Sequence, residues 1–279
     1  MVRVIARRII IMAKKKEKKE RSKRLVKRMK EVGTPAVVFN FDGTVMNTGP
    51  AIVASYRHVF AKYNMASEFT RERQEEVIGQ PVAVMMREFF PEEKLEEAVE
   101  EFRSYQHYHL RDLIQPMPGI EDLFAWLKEN DYRIGIVSSR SRDSLVNILE
   151  HAGLISYVDV IIAHYYKNGE ETDAESLRQT WKLLKKKCCI YIGDMPQDIL
   201  AGHEVGAFTI AYVSSKRRLY EIIEAGPDFV TADYKQVRKL LEGEPYWLAY
   251  EMIPEISPES EEEESAASET EEVREEQTA

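Results

Sequence analysis

Val37-Val38-Phe39-Asn40-Phe41-Asp42-Gly43-Thr44-Val45 is the stretch whose reading decides the fold. An apolar run that reads as a buried parallel strand ends in polar groups and a glycine turn. In open α/β sheets, ligand chemistry gathers outside that carboxyl end of a strand. Asn40, Asp42, Gly43 and Thr44 are therefore the first candidate site residues.

Working outward, Pro50 to Tyr63 carries apolar residues at helical spacing (Ile52, Tyr56, Val59, Phe60, Tyr63), and helices are expected at 70–78, 82–89 and 91–110. This helical block, about 49–115, interrupts the strand–helix alternation and reads as an inserted cap. Pro116-Met117-Pro118-Gly119 marks the return to the main domain. The alternation is then strict. Helices at 120–129, 142–152, 173–185 and 197–205 precede strands at 132–137, 158–163, 188–192 and 208–212. Such a pattern implies a parallel sheet covered on both faces. The expected class is α/β, a doubly wound, Rossmann-like parallel sheet with an inserted α-helical cap. Its parts are a basic extension at 1–33, a core at 34–48 and 116–243, the cap at 49–115, and an acidic tail at 244–279.

Three further signals fall near the ends of these strands. Gly135-Ile136-Val137-Ser138-Ser139-Arg140 ends a buried strand in a small hydroxyl residue, which is either an ordinary helix N-cap or an anion ligand. Tyr166-Lys167-Asn168-Gly169 offers a lysine, otherwise a solvated loop residue. Tyr191-Ile192-Gly193-Asp194-Met195-Pro196-Gln197-Asp198 places Gly-Asp after a strand and a second Asp one helical turn on. As a plain first-turn residue, Asp198 would complement the helix dipole.

Together these segments resemble the motifs of the haloacid dehalogenase superfamily, over roughly residues 35–240. The cap position, Asn47-Thr48 with Ile52, and Ile78-Gly79-Gln80-Pro81 look like its phosphoglycolate phosphatase and pyrophosphatase branch. The resemblance implies hydrolysis of a phosphate monoester or pyrophosphate on a small phosphorylated metabolite. Asp42 would protonate the leaving group and then activate water, with Gly43 and Thr44 orienting the site. Ser138, with Ser139 and Arg140, would hold phosphoryl oxygens, and Lys167 would neutralise charge. Mg2+ would be held by Asn40, Asp42, Asp194 and Asp198, an oxygen set of the kind that ion prefers. Gly79 and Arg103 would approach substrate from the cap. His107 and His109, on the same long helix as Arg103, would reach a substrate anion or simply face solvent.

One residue departs from the family pattern. The resemblance puts a nucleophilic aspartate, the site of a covalent aspartyl phosphate, where this chain has Asn40. A carboxylate attacks because it carries charge and a free lone pair; a neutral amide has neither to offer. A phosphatase silenced by an engineered Asp-to-Asn exchange, a natural pseudoenzyme that binds a phosphorylated ligand or partner, and a hydrolase using water directly through Asp42 all remain open. So does a dehalogenase or phosphomutase on the same fold.

Composition bounds the rest. With 44% hydrophobic and 31% charged residues, the chain is of ordinary globular type, and no apolar run approaches the roughly 20 residues of a membrane helix. Adjacent Cys188 and Cys189 point to opposite faces of a strand, so they are poor disulfide partners, and a reducing cytoplasm is the natural setting. The net charge of −9 conceals an asymmetry. Residues 1–31 carry 14 basic against 3 acidic side chains, and residues 251–279 carry 12 acidic against 1 basic. The basic stretch reads as a solvated, partly helical leader, the alternative being weak contact with nucleic acid or an acidic surface. Met12 would serve as an alternative start. The tail from Ser257 has too little apolar content to offset its ordering entropy, and disorder is expected there.

Overall fold

Residues Ala36 to Phe39 are wholly buried in the first strand, β1 (Ala36–Asn40). A strand covered on both faces cannot alternate polar and apolar side chains, which is why its sequence is a continuous apolar run. The computed structural model describes residues 20–163, 173–214 and 218–244. A helix over residues 20–32 (α1) precedes β1. The chain leaves the sheet through β2 (Met46–Asn47) into α2 (Gly49–Lys62), α3 (Arg71–Glu76), α4 (Val82–Met86) and α5 (Glu92–His109). It returns through β3 (Gln115–Pro116), antiparallel to β2, with Met46 opposite Pro116. Helices α2 to α5 enclose a hydrophobic cluster of their own, including Tyr56, Phe60, Met86, Phe90 and Phe102.

After β3 come α6 (Ile120–Glu129), β4 (Arg133–Ser138), α7 (Arg142–His151), β5 (Val160–Ala163), α8 (Asp173–Leu184) and β6 (Cys189–Gly193). The described chain ends with α9 (Pro196–Val205), β7 (Phe208–Tyr212), α10 (Leu219–Ala225), β8 (Phe229–Thr231) and α11 (Tyr234–Leu241). The sheet runs β5-β4-β1-β6-β7-β8, every neighbouring pair parallel. Strand order reverses about β1, the place where a doubly wound sheet opens a crevice at its carboxyl edge. The register sets Asn40 opposite Val137 of β4 and Phe39 opposite Ile192 of β6. The ends of β1, β4 and β6 therefore lie side by side.

Observed bounds depart from the expected ones by a residue or two at most ends, as fraying ends do. Two features were not anticipated. The three-residue strand β8 closes the far edge, with α10 and α11 around it. Helix α1 is not wholly solvated: Ser22 and Leu25 are buried along one face, and Arg21 Nη1 pairs with Asp228 at 2.7 Å. Its opposite face, with Lys23, Arg24, Lys27, Arg28 and Lys30, is exposed. Cys188 and Cys189 are buried free thiols, and burial pushes the Cys189 thiol up. Among the described residues, no helix is long and apolar enough to cross a membrane. Residues 1–19, and the acidic tail expected to be disordered, lie outside the described residues.

Candidate active site

Beyond Asn40 the backbone folds into a tight turn. Gly43 N–H donates to Met46 O at 2.8 Å and Val45 N–H to Phe41 O at 2.9 Å. Gly43 has φ +72°, and a Cβ there would overlap the Asp194 carboxylate. Both the left-handed conformation and the close approach require glycine. Thr44, fully buried, donates from Oγ1 to Asp194 Oδ1 at 2.9 Å. Its carbonyl accepts from Tyr234 Oη of α11, so the turn is tied to the β6 end and to α11.

At the β6 end, Pro196 starts α9, and Asp198 fills its first turn. Asp198 Oδ2 accepts from the N–H groups of Asp194 (3.1 Å) and Met195 (3.0 Å), satisfying donors that a helix start leaves open. Its Oδ1 accepts from Tyr191 Oη at 2.9 Å and from Asn40 Nδ2 at 2.9 Å. The helix-capping role and the site role thus fall on one carboxylate, which is 2% exposed. Asp194 is held differently. Its carboxyl is pushed well above the ordinary carboxylate range, first by desolvation and then by the charge of Asp198; Asp42 adds to the effect and the Thr44 hydroxyl opposes it.

At the β4 end, the N-cap of α7 is Ser141, whose Oγ accepts from Ser144 N–H at 3.3 Å. Ser138 is therefore not that cap. It is 4% exposed, lines the cleft, and its Oγ accepts from Arg140 N–H at 3.2 Å. The Arg140 side chain turns to Asp42: Nε lies 2.8 and 3.0 Å from the two carboxylate oxygens, and Nη2 lies 2.7 Å from Oδ1. Nε thus bridges both oxygens while Nη2 crowds Oδ1, a charge-assisted contact. Nη1 donates to Gln106 Oε1 on α5, and the guanidinium lies 5.9 Å from the Phe41 ring centroid.

Opposite these strand ends, the segment after α3 rests on β6's loop. Gly79, at φ +79°, is so close to Met195 that a Cβ would sit 2.6 Å from its Sδ. Arg218 holds the same segment, donating to the carbonyls of Glu76 (3.3 Å) and Ile78 (3.4 Å). The walls enclose a cleft of about 980 Å³, within the range of small-molecule sites.

Asn40, Asp42, Thr44, Ser138, Arg140, Asp194 and Asp198 are thus brought together at one edge of the sheet. Ser139 and Arg103 line the cleft, and Gly79 reaches it from the helical side. His107 and His109 border it but are solvent-exposed, and His109 is tilted against Tyr105 at 5.0 Å. Lys167 lies outside the described residues. Gln106 and Tyr191 were not singled out from the sequence. Gln106 leaves a trace there, as the amide that continues the apolar stripe Leu95, Ala98, Val99, Phe102 of α5. Among the described residues, no group of three or more His, Cys, Asp or Glu side chains is gathered closely enough to hold a metal ion.

Comparison with known proteins bears on the family and the fold. The family model described as haloacid dehalogenase-like hydrolase matches residues 37–212. Pyrophosphatase PpaX of Halalkalibacterium halodurans is 30% identical over 196 residues, covering 70% of this chain and 90% of that protein. Pyrophosphatase PpaX of Bacillus cereus is 28% identical over 198 residues, with the same coverage. Among solved structures, a haloacid dehalogenase-like family hydrolase of Streptococcus pneumoniae superposes with a TM-score of 0.66 at 19% identity, over 74% of this chain and 97% of that one. A hydrolase of Pseudomonas syringae gives a TM-score of 0.63 at 21% identity, over 75% and 99%. The chain belongs to the haloacid dehalogenase-like hydrolase family.

Proposed function

We propose that this chain is a phosphohydrolase of the pyrophosphatase and phosphoglycolate phosphatase type whose turnover is severely reduced by Asn40. The observation that carries the reading is the Asn40 side chain itself. It ends β1 at the cleft, its Nδ2 is committed to Asp198 at 2.9 Å, and its remaining oxygen is a neutral amide oxygen. Attack on phosphorus by a carboxylate is thereby lost, a kind of loss that costs on the order of 10⁴-fold or more in rate. Binding is affected less, because one negative charge has been removed from beside a phosphoryl anion.

The other residues keep roles this reading needs. Ser138 Oγ and the N–H groups after it would hold phosphoryl oxygens, as helix-start donors do. Asp42 would carry the proton for the leaving group once its carboxylate is released from Arg140. Residues 49–115 would act as a cap that shields the reacting groups from water. The substrate is a small phosphorylated metabolite or pyrophosphate, as the names of the relatives suggest.

The donor chemistry suits Mg2+. Asp194 is a half-buried carboxyl under the charge of Asp198 and Asp42, and a hard cation would relieve that crowding. Asp194, the Asp42 carbonyl and the Asn40 amide oxygen would hold it, one anionic ligand fewer than an aspartate at 40 would give. Asp198 would orient the shell rather than ligate, because each of its oxygens already accepts two hydrogen bonds. When bound, the cation would supply charge neutralisation at the phosphoryl group.

The hold of Arg140 Nε on both oxygens of Asp42 favours a second reading, a phospho-ligand-binding protein with no turnover. Phosphate release from phosphoglycolate, pyrophosphate and p-nitrophenyl phosphate with Mg2+, for this chain beside Asn40→Asp, separates the two. Recovered turnover in the variant supports the phosphohydrolase; a silent variant that still binds phosphate supports the binding protein.

A further inference from the structure

Helix α1 is fastened to the core on one side and open on the other. Ser22 and Leu25 are buried, and Arg21 Nη1 lies 2.7 Å from Asp228, whose second oxygen accepts from the Thr209 N–H at 2.8 Å. Arg24, Lys27 and Arg28 face outward. Arg28 Nη2 reaches the carbonyl of Lys187, 159 residues away, at 3.3 Å. That contact sets α1 against the connection from α8 to β6, Lys185-Lys186-Lys187, where Lys185 and Lys187 are also exposed. Lys186 Nζ fixes the connection by donating to Thr34 Oγ1 at 2.7 Å and to the Asp131 carbonyl at 2.9 Å. Burial pushes the Cys188 thiol up, while the Arg28 and Lys186 charges both draw it down, so cations of the two segments converge on one place. Like charges gathered in this way repel, and little on the protein offsets them. Glu20 takes Lys23 at 2.9 Å, and Glu31 lies 3.9 Å from Lys27. Among the described residues, Arg24, Arg28, Lys185 and Lys187 pair with no carboxylate.

We propose that this face, Arg24, Lys27 and Arg28 with Lys185 and Lys187, binds the phosphate backbone of a nucleic-acid duplex without reading its sequence. The inference is independent of what the cleft hydrolyses. The face lies by the amino ends of β1 and β6 and the cleft at their carboxyl ends, one strand length of about 16 Å away, so both can be occupied at once. A duplex carries about one negative charge per 1.7 Å of axis, and each lysine or arginine that meets it releases bound counterions. Neither segment contains an aromatic residue, so nothing there can stack on bases and contact is limited to phosphates. A bilayer surface suits the face less well, because the apolar side of α1, the side such a helix inserts, is already packed on the core. The chain's net charge of −9 repels a polyanion elsewhere and confines the contact to this face.

Fluorescence anisotropy tests this, using the full chain and two labelled DNA duplexes of unrelated sequence, each about two helical turns long, over a range of sodium chloride concentrations. Both duplexes are expected to bind alike, with log Kd rising against log salt at a slope of about 3 or more. Arg24→Gln, Arg28→Gln, Lys185→Gln and Lys187→Gln combined should weaken both about tenfold or more at low salt and flatten the slope by about 3. These side chains are exposed, so the variant is expected to melt with the parent. If it melts lower, the α1 pair and the α8–β6 pair are substituted separately, each taking about half of the slope change. No binding by the parent at low salt, an unchanged slope in the combined variant, or a preference for one duplex beyond about tenfold overturns the inference. So does a loss of binding in Arg111→Gln, at the cleft mouth, that the combined variant does not share. Binding to phosphatidylserine vesicles but to neither duplex assigns the face to a lipid surface and overturns it as well.

Discussion

The side-chain nitrogen of Asn40 lies 2.9 Å from Asp198 Oδ1, across a sequence separation of 158 residues, and donates a hydrogen bond to it. An amide can make that contact unaided; a carboxylate in its place cannot. Asn40→Asp sets two carboxylates in contact and removes a donor from a buried acceptor, at a cost on the order of 2 kcal/mol. Without metal at neutral pH, the variant is expected to melt below the parent. Mg2+ should raise its melting temperature more than the parent's, since the added charge creates a better cation site. Equal Mg2+ responses, read by thermal melts with and without the ion, would count against the oxygen-ligand assignment.

Gly43 combines φ +72° with contact against the Asp194 carboxylate. Gly43→Ala must strain the turn and displace that carboxylate together, and is expected to destabilise by roughly 2 kcal/mol or more. Chemical denaturation measures it. A change below about 0.5 kcal/mol, the size of an ordinary surface substitution, would mean the turn tolerates a Cβ.

Asp194 gives a pH dependence whose sign follows from its raised carboxyl. The fold favours the protonated form, so ionisation costs stability. That cost is absent below the ordinary carboxylate value of about 4, grows as pH rises towards the raised folded value, and is constant above it. Asp194→Asn keeps an oxygen for the Thr44 hydroxyl and removes the titration. In metal-free buffer it should melt above the parent at neutral pH, with the difference vanishing near pH 4. A difference that persists or widens at low pH would refute this.

Arg218 fixes the segment carrying Gly79 by donating to two of its carbonyls. Arg218→Ala is expected to lower hydrogen-exchange protection at Val77 to Gln80 while leaving the amides of β1 unchanged. Loss of protection spread over the whole sheet would indicate a global rather than a local role.

Much of the fold is legible in the sequence, for identifiable reasons. Strands β1 and β6 are buried on both faces and read as apolar runs, β4 does so from Ile134 to Val137 after an exposed Arg133, and the helices between them carry a clear period. Strand β8 is only three residues long and sits at an edge, too brief for any pattern to stand out. The positions of Asn40, Asp42, Ser138, Asp194 and Asp198 follow from strand ends and glycine turns, which are local. Their pairings do not. Arg140 and Asp42 are separated by 98 residues and Tyr234 and Thr44 by 190, and no local spacing encodes such contacts. Ser138 carries the same limit: the cap of α7 falls on Ser141, three residues on, and four serines within seven residues cannot be told apart by sequence alone.

Phosphate release is the direct measure of what Asn40 does. The chain and its Asn40→Asp variant are assayed side by side with Mg2+ on phosphoglycolate, pyrophosphate and p-nitrophenyl phosphate. Turnover by the variant on at least one substrate, on the order of 10⁴-fold above the parent, is the expected result. A parent that releases phosphate as fast as Asn40→Asp would contradict it, and would assign the chemistry to a group other than residue 40.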